Sequence, residues 1–169
     1  MPATDLPFQA TLRDGHQVLL REIREADRPG VLEAFDHLSD ESRYTRFMGS
    51  MKSLPEALLD DAVHPVAGRD FVIVAVAGDL LVGGARYTGI RGRDACEFAI
   101  TLLDDWHRLG LAPLLMETLI AHARQAGVAL MEGYVLASNR AMRRLARRLG
   151  FSDAPCPDDS TVRIVALAL

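Results

Sequence analysis

Asp104-Asp105-Trp106-His107-Arg108-Leu109-Gly110-Leu111-Ala112-Pro113 carries the chain from a strand into a helix, and its reading decides the fold. Before it, residues 95–103 (ACEFAITLL) form an apolar strand. After it, Leu111, Leu115, Leu119 and Ala126 recur on the inward face of a helix running to about residue 125. Glu117, Ala121 and Arg124 face outward, and Gly127 ends the helix. The first turn of a helix offers unpaired N–H groups and roughly +0.5 charge, a site for an anion. Gly110 and Ala112 leave their amides uncovered, and Pro113 sits where its missing N–H costs nothing. His107 and Arg108 add side-chain donors. A diphosphate suits this cradle, and so does the plainer reading in which Gly110 only turns the chain.

Outward from this junction, strands and helices alternate. Residues 16–24 read as a first strand around Val18, Leu20 and Ile23. Asp27 stands as a helix cap before Arg28-Pro29, with Val31, Phe35 and Leu38 on one helical face. Ser39-Asp40 caps a short second helix, and Ser53-Leu54-Pro55 opens a third with Leu58, Leu59 and Ala62 inward. Residues 71–77 (FVIVAVA) are a strand covered on both faces, and 80–87 returns across the Gly78-Asp79 turn. Residues 128–136 are a further strand, and 138–149 a helix capped by Ser138 and stopped by Gly150. Residues 161–169 close the chain as a strand, 152–160 read as a polar loop, and 1–14 as a loosely ordered lead-in. The pattern is α/β with a mixed sheet, in a single domain over residues 1–169.

The chain has 169 residues, 49% hydrophobic and 25% charged, with a net charge of -4. This balance excludes disorder, and it gives no overall attraction for nucleic acid or an anionic membrane. No apolar run reaches the ~20 residues of a spanning helix, and the N-terminus lacks the pattern of a signal peptide. Cys96 and Cys156 form neither a disulfide framework nor a metal knuckle, and the histidines lack metal-ligand spacing. What these exclusions leave is a small cytoplasmic α/β domain, expected to hold no metal and to be a monomer or a homodimer. There is no G-x-x-x-x-G-K-[ST] and no G-x-G-x-x-G after a strand, which argues against a P-loop or a dinucleotide fold.

His107-Arg108-Leu109-Gly110-Leu111-Ala112 resembles the acyl-CoA pyrophosphate motif Q/R-x-x-G-x-G/A of GNAT N-acetyltransferases. The segment from Asn139-Arg140-Ala141-Met142 to Leu149-Gly150-Phe151 resembles the Asn-to-Gly-Phe segment of that superfamily, in the right order. A narrower likeness to bacterial Pat-type protein lysine acetyltransferases rests on 39–47 (SDESRYTRF), Cys96-Glu97-Phe98-Ala99 and Asp104-Asp105-Trp106. The resemblance implies a GNAT fold, a mixed and mostly antiparallel sheet flanked by helices. It also implies acetyl-CoA as co-substrate and a primary amine, a protein lysine, as acceptor. A small-molecule amine, or a module that binds acyl-CoA without turnover, are the alternatives.

The same resemblance implies that His107, Arg108, Leu109, Gly110, Leu111 and Ala112 hold the diphosphate, and that Asn139 contacts CoA. Ile100 and Leu102 would offer backbone groups to the pantetheine arm. Glu41, Arg43, Tyr44 and Arg46 lie where the superfamily binds acceptors. The tyrosine that many members use to protonate the leaving thiolate corresponds here to Ala146. Attack by an amine requires its deprotonated form, and an ammonium near pKa ~10.4 requires a base. Glu97, in an apolar strand where desolvation raises a carboxyl pKa, is the candidate. The alternative is a strand-edge Glu97 paired with Arg86 or Arg91. The arginines at 140, 143, 144, 147 and 148 read either as a solvated face or as partners of the nucleotide 3′-phosphate.

Overall fold

The computed structural model describes residues 5–169. Strands β1 (Phe8–Thr11) and β2 (Gln17–Glu22) lead into helices α1 (Arg28–His37), α2 (Asp40–Phe47) and α3 (Glu56–Val63). Strands β3 (Asp70–Ala77), β4 (Leu80–Gly89) and β5 (Ala95–Leu102) follow as a meander. Then come α4 (Leu111–Gln125), β6 (Leu130–Leu136), α5 (Arg140–Arg148), β7 (Ser152–Cys156) and β8 (Asp159–Ala168). One eight-stranded sheet runs in the order β1-β2-β3-β4-β5-β6-β8-β7. Its pairs are antiparallel except β5–β6, which α4 joins as a crossover.

The core follows from periodicity. The apolar run of β3 is buried on both sides, and Ile73 and Ala75 are wholly enclosed. In α4, Leu111, Leu115, Met116, Leu119 and Ala123 have no exposed surface. Burying five such side chains stabilises the fold by roughly 1.5–3 kcal/mol for each of the larger ones. Ala126, expected on that inward stripe, is exposed because the helix has already ended. In α3, Leu59 and Val63 are the buried pair, and Leu58 is exposed.

Two expectations are corrected at the sheet edges. Residues 8–11, expected within a loosely ordered lead-in, pair with β2 as strand β1; residues 1–4 lie outside the described residues. Residues 152–160, expected as a loop, form the β7–β8 hairpin around Pro157-Asp158. Edge strands show alternation weakly because one side is wet, and Pro155 is tolerated there for want of a ladder partner on its outer side.

Two caps also move. Asp27 does not cap α1 through its side chain. It takes two 2.8 Å bonds from Arg21 and a 2.8 Å bond from the Arg24 N–H. These hold its carboxyl below the usual range, the Arg21 contact most of all and against the pull of burial. Asn139, not Ser138, caps α5: its Oδ1 accepts from the Met142 N–H at 3.2 Å.

Candidate active site

The parallel ladder between β5 and β6 covers three rungs, Ala95–Leu130, Cys96–Met131 and Glu97–Glu132. There it stops, while β5 continues to Leu102 beside β4 and β6 continues to Leu136 beside β8. The strands part in the middle of the sheet. The Leu103 N–H donates to Val82 O at 2.9 Å, and Ala95 O accepts from Ile90 N–H, so the odd residues of β5 turn their backbone toward β4. Alternation then turns the Ile100 and Leu102 backbone groups toward the gap. Leu102 O accepts from His107 Nε2 at 3.2 Å, from that open side.

Phe98 marks the point of divergence. Its ring packs edge-on against Phe151 at 5.5 Å and covers Gly133 of β6. A Cβ on Gly133 would stand 2.4 Å from that ring, closer than carbon atoms approach. Glycine is needed at 133 for the ring to fit.

On the face that carries α4, the helix begins beside the gap. Arg108 and Gly110 have positive φ, 65° and 91°, and this winds the loop so that Gly110 becomes the cap. Neither Gly110 nor its neighbours receive a side-chain cap, so the first amides of α4 lack acceptors within the helix. The loop is braced by Arg13, whose N–H donates to Leu109 O at 3.1 Å. The Arg13 guanidinium lies 3.6 Å (Nε) from where a Gly110 Cβ would stand. Arg13 was hidden in the expected lead-in, and nothing local in the sequence signals it.

Glu97 is on the opposite face with Ala99 and Thr101, on the side of α1 and α2. Among the described residues it makes no ion pair, with Arg86, Arg91 or any other cation; Arg86 Nη2 donates to Thr88 Oγ1 at 3.1 Å. Solvent reaches the carboxyl, yet the surrounding protein raises its pKa by desolvation. The charge of Glu132 adds to that rise and Arg46 opposes it. Glu132 pairs with Arg93 at 3.1 and 3.3 Å. Its place on β6 beside the exposed Tyr134 was a legible polar alternation that the sequence reading passed over.

The other expected site residues divide. Arg46 is near Glu97, and Tyr44 and Glu41 are exposed on α2. The Arg43 guanidinium donates to Phe35 O, Asp36 O, Met51 O and Lys52 O and lies 4.2 Å over the Phe35 ring. The helix is anchored by Ser42, whose Oγ donates to Asp104 Oδ1 at 2.9 Å. His107 Nε2 donates to Leu102 O, and Asn139 Oδ1 accepts from the Met142 N–H as the cap of α5. Arg143 and Arg147 are drawn to Asp153, which leaves fewer free cations on α5 than the sequence offers. Ala146 is fully buried, and Cys96 is enclosed with its thiol pushed up to about 12 by burial, then by Glu132.

The family model of the acetyltransferase (GNAT) domain matches residues 17–152. An acetyltransferase of Pseudomonas aeruginosa, PA5475, is 40% identical over 163 residues, covering 94% of this chain and 88% of its own. Acetyltransferase Pat of Mycolicibacterium smegmatis is 32% identical over 85% of this chain, which spans 44% of that longer protein. Among solved structures, the GNAT domain of S. lividans PAT has a TM-score of 0.88 at 23% identity, covering 96% and 97% of the two chains. The yncA protein of Salmonella typhimurium, a putative acetyltransferase solved with acetyl-CoA, has a TM-score of 0.72 at 20% identity over 90% and 94%. With its sheet parted beside the start of a crossover helix and its sequence matched over most of its length, the chain belongs to the GNAT acetyltransferase family.

Proposed function

We propose that the protein transfers an acetyl group from acetyl-CoA to a primary amine by direct attack in a ternary complex, with Glu97 as the base. The observation that carries this reading is the parting of β5 and β6 immediately beyond Glu97, next to the uncapped start of α4. The amides of Gly110, Leu111 and Ala112, with Arg13 and Arg108 as cations, suit the diphosphate. The gap suits the pantetheine arm, which can pair with the backbone of Ile100 and Leu102. An N–H at this edge also suits the thioester oxygen as charge develops on it. The acceptor then meets the thioester from the Glu97 face.

Glu97 takes a proton from the acceptor ammonium, the neutral nitrogen bonds to the carbonyl carbon, and as the C–S bond breaks the second nitrogen proton passes to water. With Ala146 where an acid would stand, the thiolate leaves unaided and takes a proton from water, as a thiol pKa near ~8.5 permits. The buried, protonated Cys96 is unsuited to an acyl-enzyme route. A protein lysine is the acceptor by the likeness to the Pat proteins, and a small amine is a second reading, favoured by the largely apolar cavity beside Arg46. Calorimetry with acetyl-CoA, followed by thiol release over a panel of lysine peptides and small amines, tests the reading. Binding followed by acceptor-dependent release is expected. Binding without release from any acceptor, or no binding, would overturn it.

A further inference from the structure

A cavity of about 230 Å³ lies between the α1–α3 helices and the Glu97 face of the sheet. Phe35, Phe47, Leu54 and Val74 make its walls largely apolar, and Arg46 and Arg86 also line it. Among the described residues neither guanidinium has a carboxylate within ion-pairing distance. Arg86 reaches only Thr88, and Arg46 lies 4.8 Å over the ring of Phe47. Arg46 is half-buried on α2 and lines the cavity. Burial first, and then the charge of Arg86, push its pKa down to about 10, with Glu97 opposing. It stays charged at neutral pH. Two like charges face one largely apolar space, offset only by the neighbouring carboxylates, Glu97 for Arg46 and Asp70 for Arg86, so a bound anion would be favoured there.

The register places this pair beside the reaction. Arg86 pairs with Ala99, and Thr88 with Glu97, so Arg86 is two residues along the strand from the rung of Glu97, on the same face. That is about 7 Å, within the span of a guanidinium stem. Resting on the reading of Glu97 as the base, we infer that the acceptor amine carries a carboxylate that seats between Arg46 and Arg86. The apolar part of the acceptor fills the cavity and its nitrogen meets Glu97. A planar guanidinium fork suits a carboxylate, and a second cation fixes its orientation. The carboxylate can come from a free α-amino acid with an apolar side chain or from an acidic residue beside a lysine in a peptide.

Thiol release is measured with two matched pairs: L-leucine against L-leucinamide, and a lysine peptide flanked by glutamate against the same peptide flanked by glutamine. The account expects kcat/KM to favour the carboxylate member of at least one pair by about 30-fold. The pair that discriminates identifies the source. Arg86→Met abolishes the preference and leaves the KM for acetyl-CoA unchanged, while Arg86→Lys keeps a weaker one. Binding of N-acetyl-L-leucine and of the acetylated glutamate peptide, by calorimetry in the presence of CoA, gives a readout that needs no turnover. Equal turnover within both pairs, unchanged in Arg86→Met, would overturn the inference and leave acetyl transfer standing. Arg86-dependent binding of either product without any thiol release would do the reverse. Neither release nor product binding sinks both.

Discussion

Glu97 and Glu132 share the last rung of the parallel β5–β6 ladder, their side chains on the same face of the sheet. The Glu132 charge therefore adds to the desolvation that raises the Glu97 pKa, and Arg46 works against both. A base acts only when deprotonated, so activity rises with pH through the raised value and is lost below it. Glu132→Gln removes one of the raising influences and moves the acidic limb of the kcat/KM profile to lower pH. Arg46→Met removes the lowering one and moves the limb to higher pH. Profiles with a single acceptor check both signs, and an unmoved limb in both variants contradicts the placement.

Gly133 and Phe98 fix where the strands part. A methyl group at 133 meets the Phe98 ring at 2.4 Å, so Gly133→Ala displaces the ring or the strand. The expected cost is about 1–3 kcal/mol in denaturant unfolding, as for an overfilled core, together with weaker acetyl-CoA binding. Shortening the ring in the double variant Gly133→Ala/Phe98→Leu recovers part of both.

Gly110 holds φ at 91° at the head of α4. Gly110→Ala forces a side chain into that region at about 1–2 kcal/mol and rotates the amides that follow. Affinity for acetyl-CoA falls in calorimetry, whereas Gly15→Ala, also at positive φ but on the β1–β2 hairpin, changes stability without the same loss of affinity.

Much of the fold was legible because burial imposes a period. The run at 71–77, the return at 80–87 and the stripe Leu111, Leu115 and Leu119 each carry their own pattern of two or 3.6 residues. Strands β1 and β7 were illegible because edge strands keep one side in water. Glu97 stood out as a lone charge in an apolar strand. The role of Arg13 arises from elements far apart in the chain, and that of Glu132 from the parallel pairing of β5 with β6, which no local pattern shows. Arg43 and the Asn139 Oδ1 are engaged by local backbone groups, and no short-range pattern in the sequence signals the Arg43 contacts.

Asp27 and Arg21 form a half-enclosed pair that ties β2 to the start of α1. Asp27→Asn leaves Arg21 without its counter-charge and costs about 3–5 kcal/mol, the scale for a broken buried pair. Because the Asp27 pKa is lowered in the folded state, its contribution is complete above the ordinary carboxylate range and fades as pH falls through the lowered value. Wild-type stability therefore drops more steeply below about pH 4 than that of the variant, as denaturant titrations at several pH values will show.

The most direct test is the steady-state rate of Glu97→Gln at saturating acceptor, alongside calorimetry of acetyl-CoA binding. The account predicts kcat lowered by ~10²–10⁴-fold with the affinity for acetyl-CoA unchanged. A variant that turns over at the wild-type rate would contradict it.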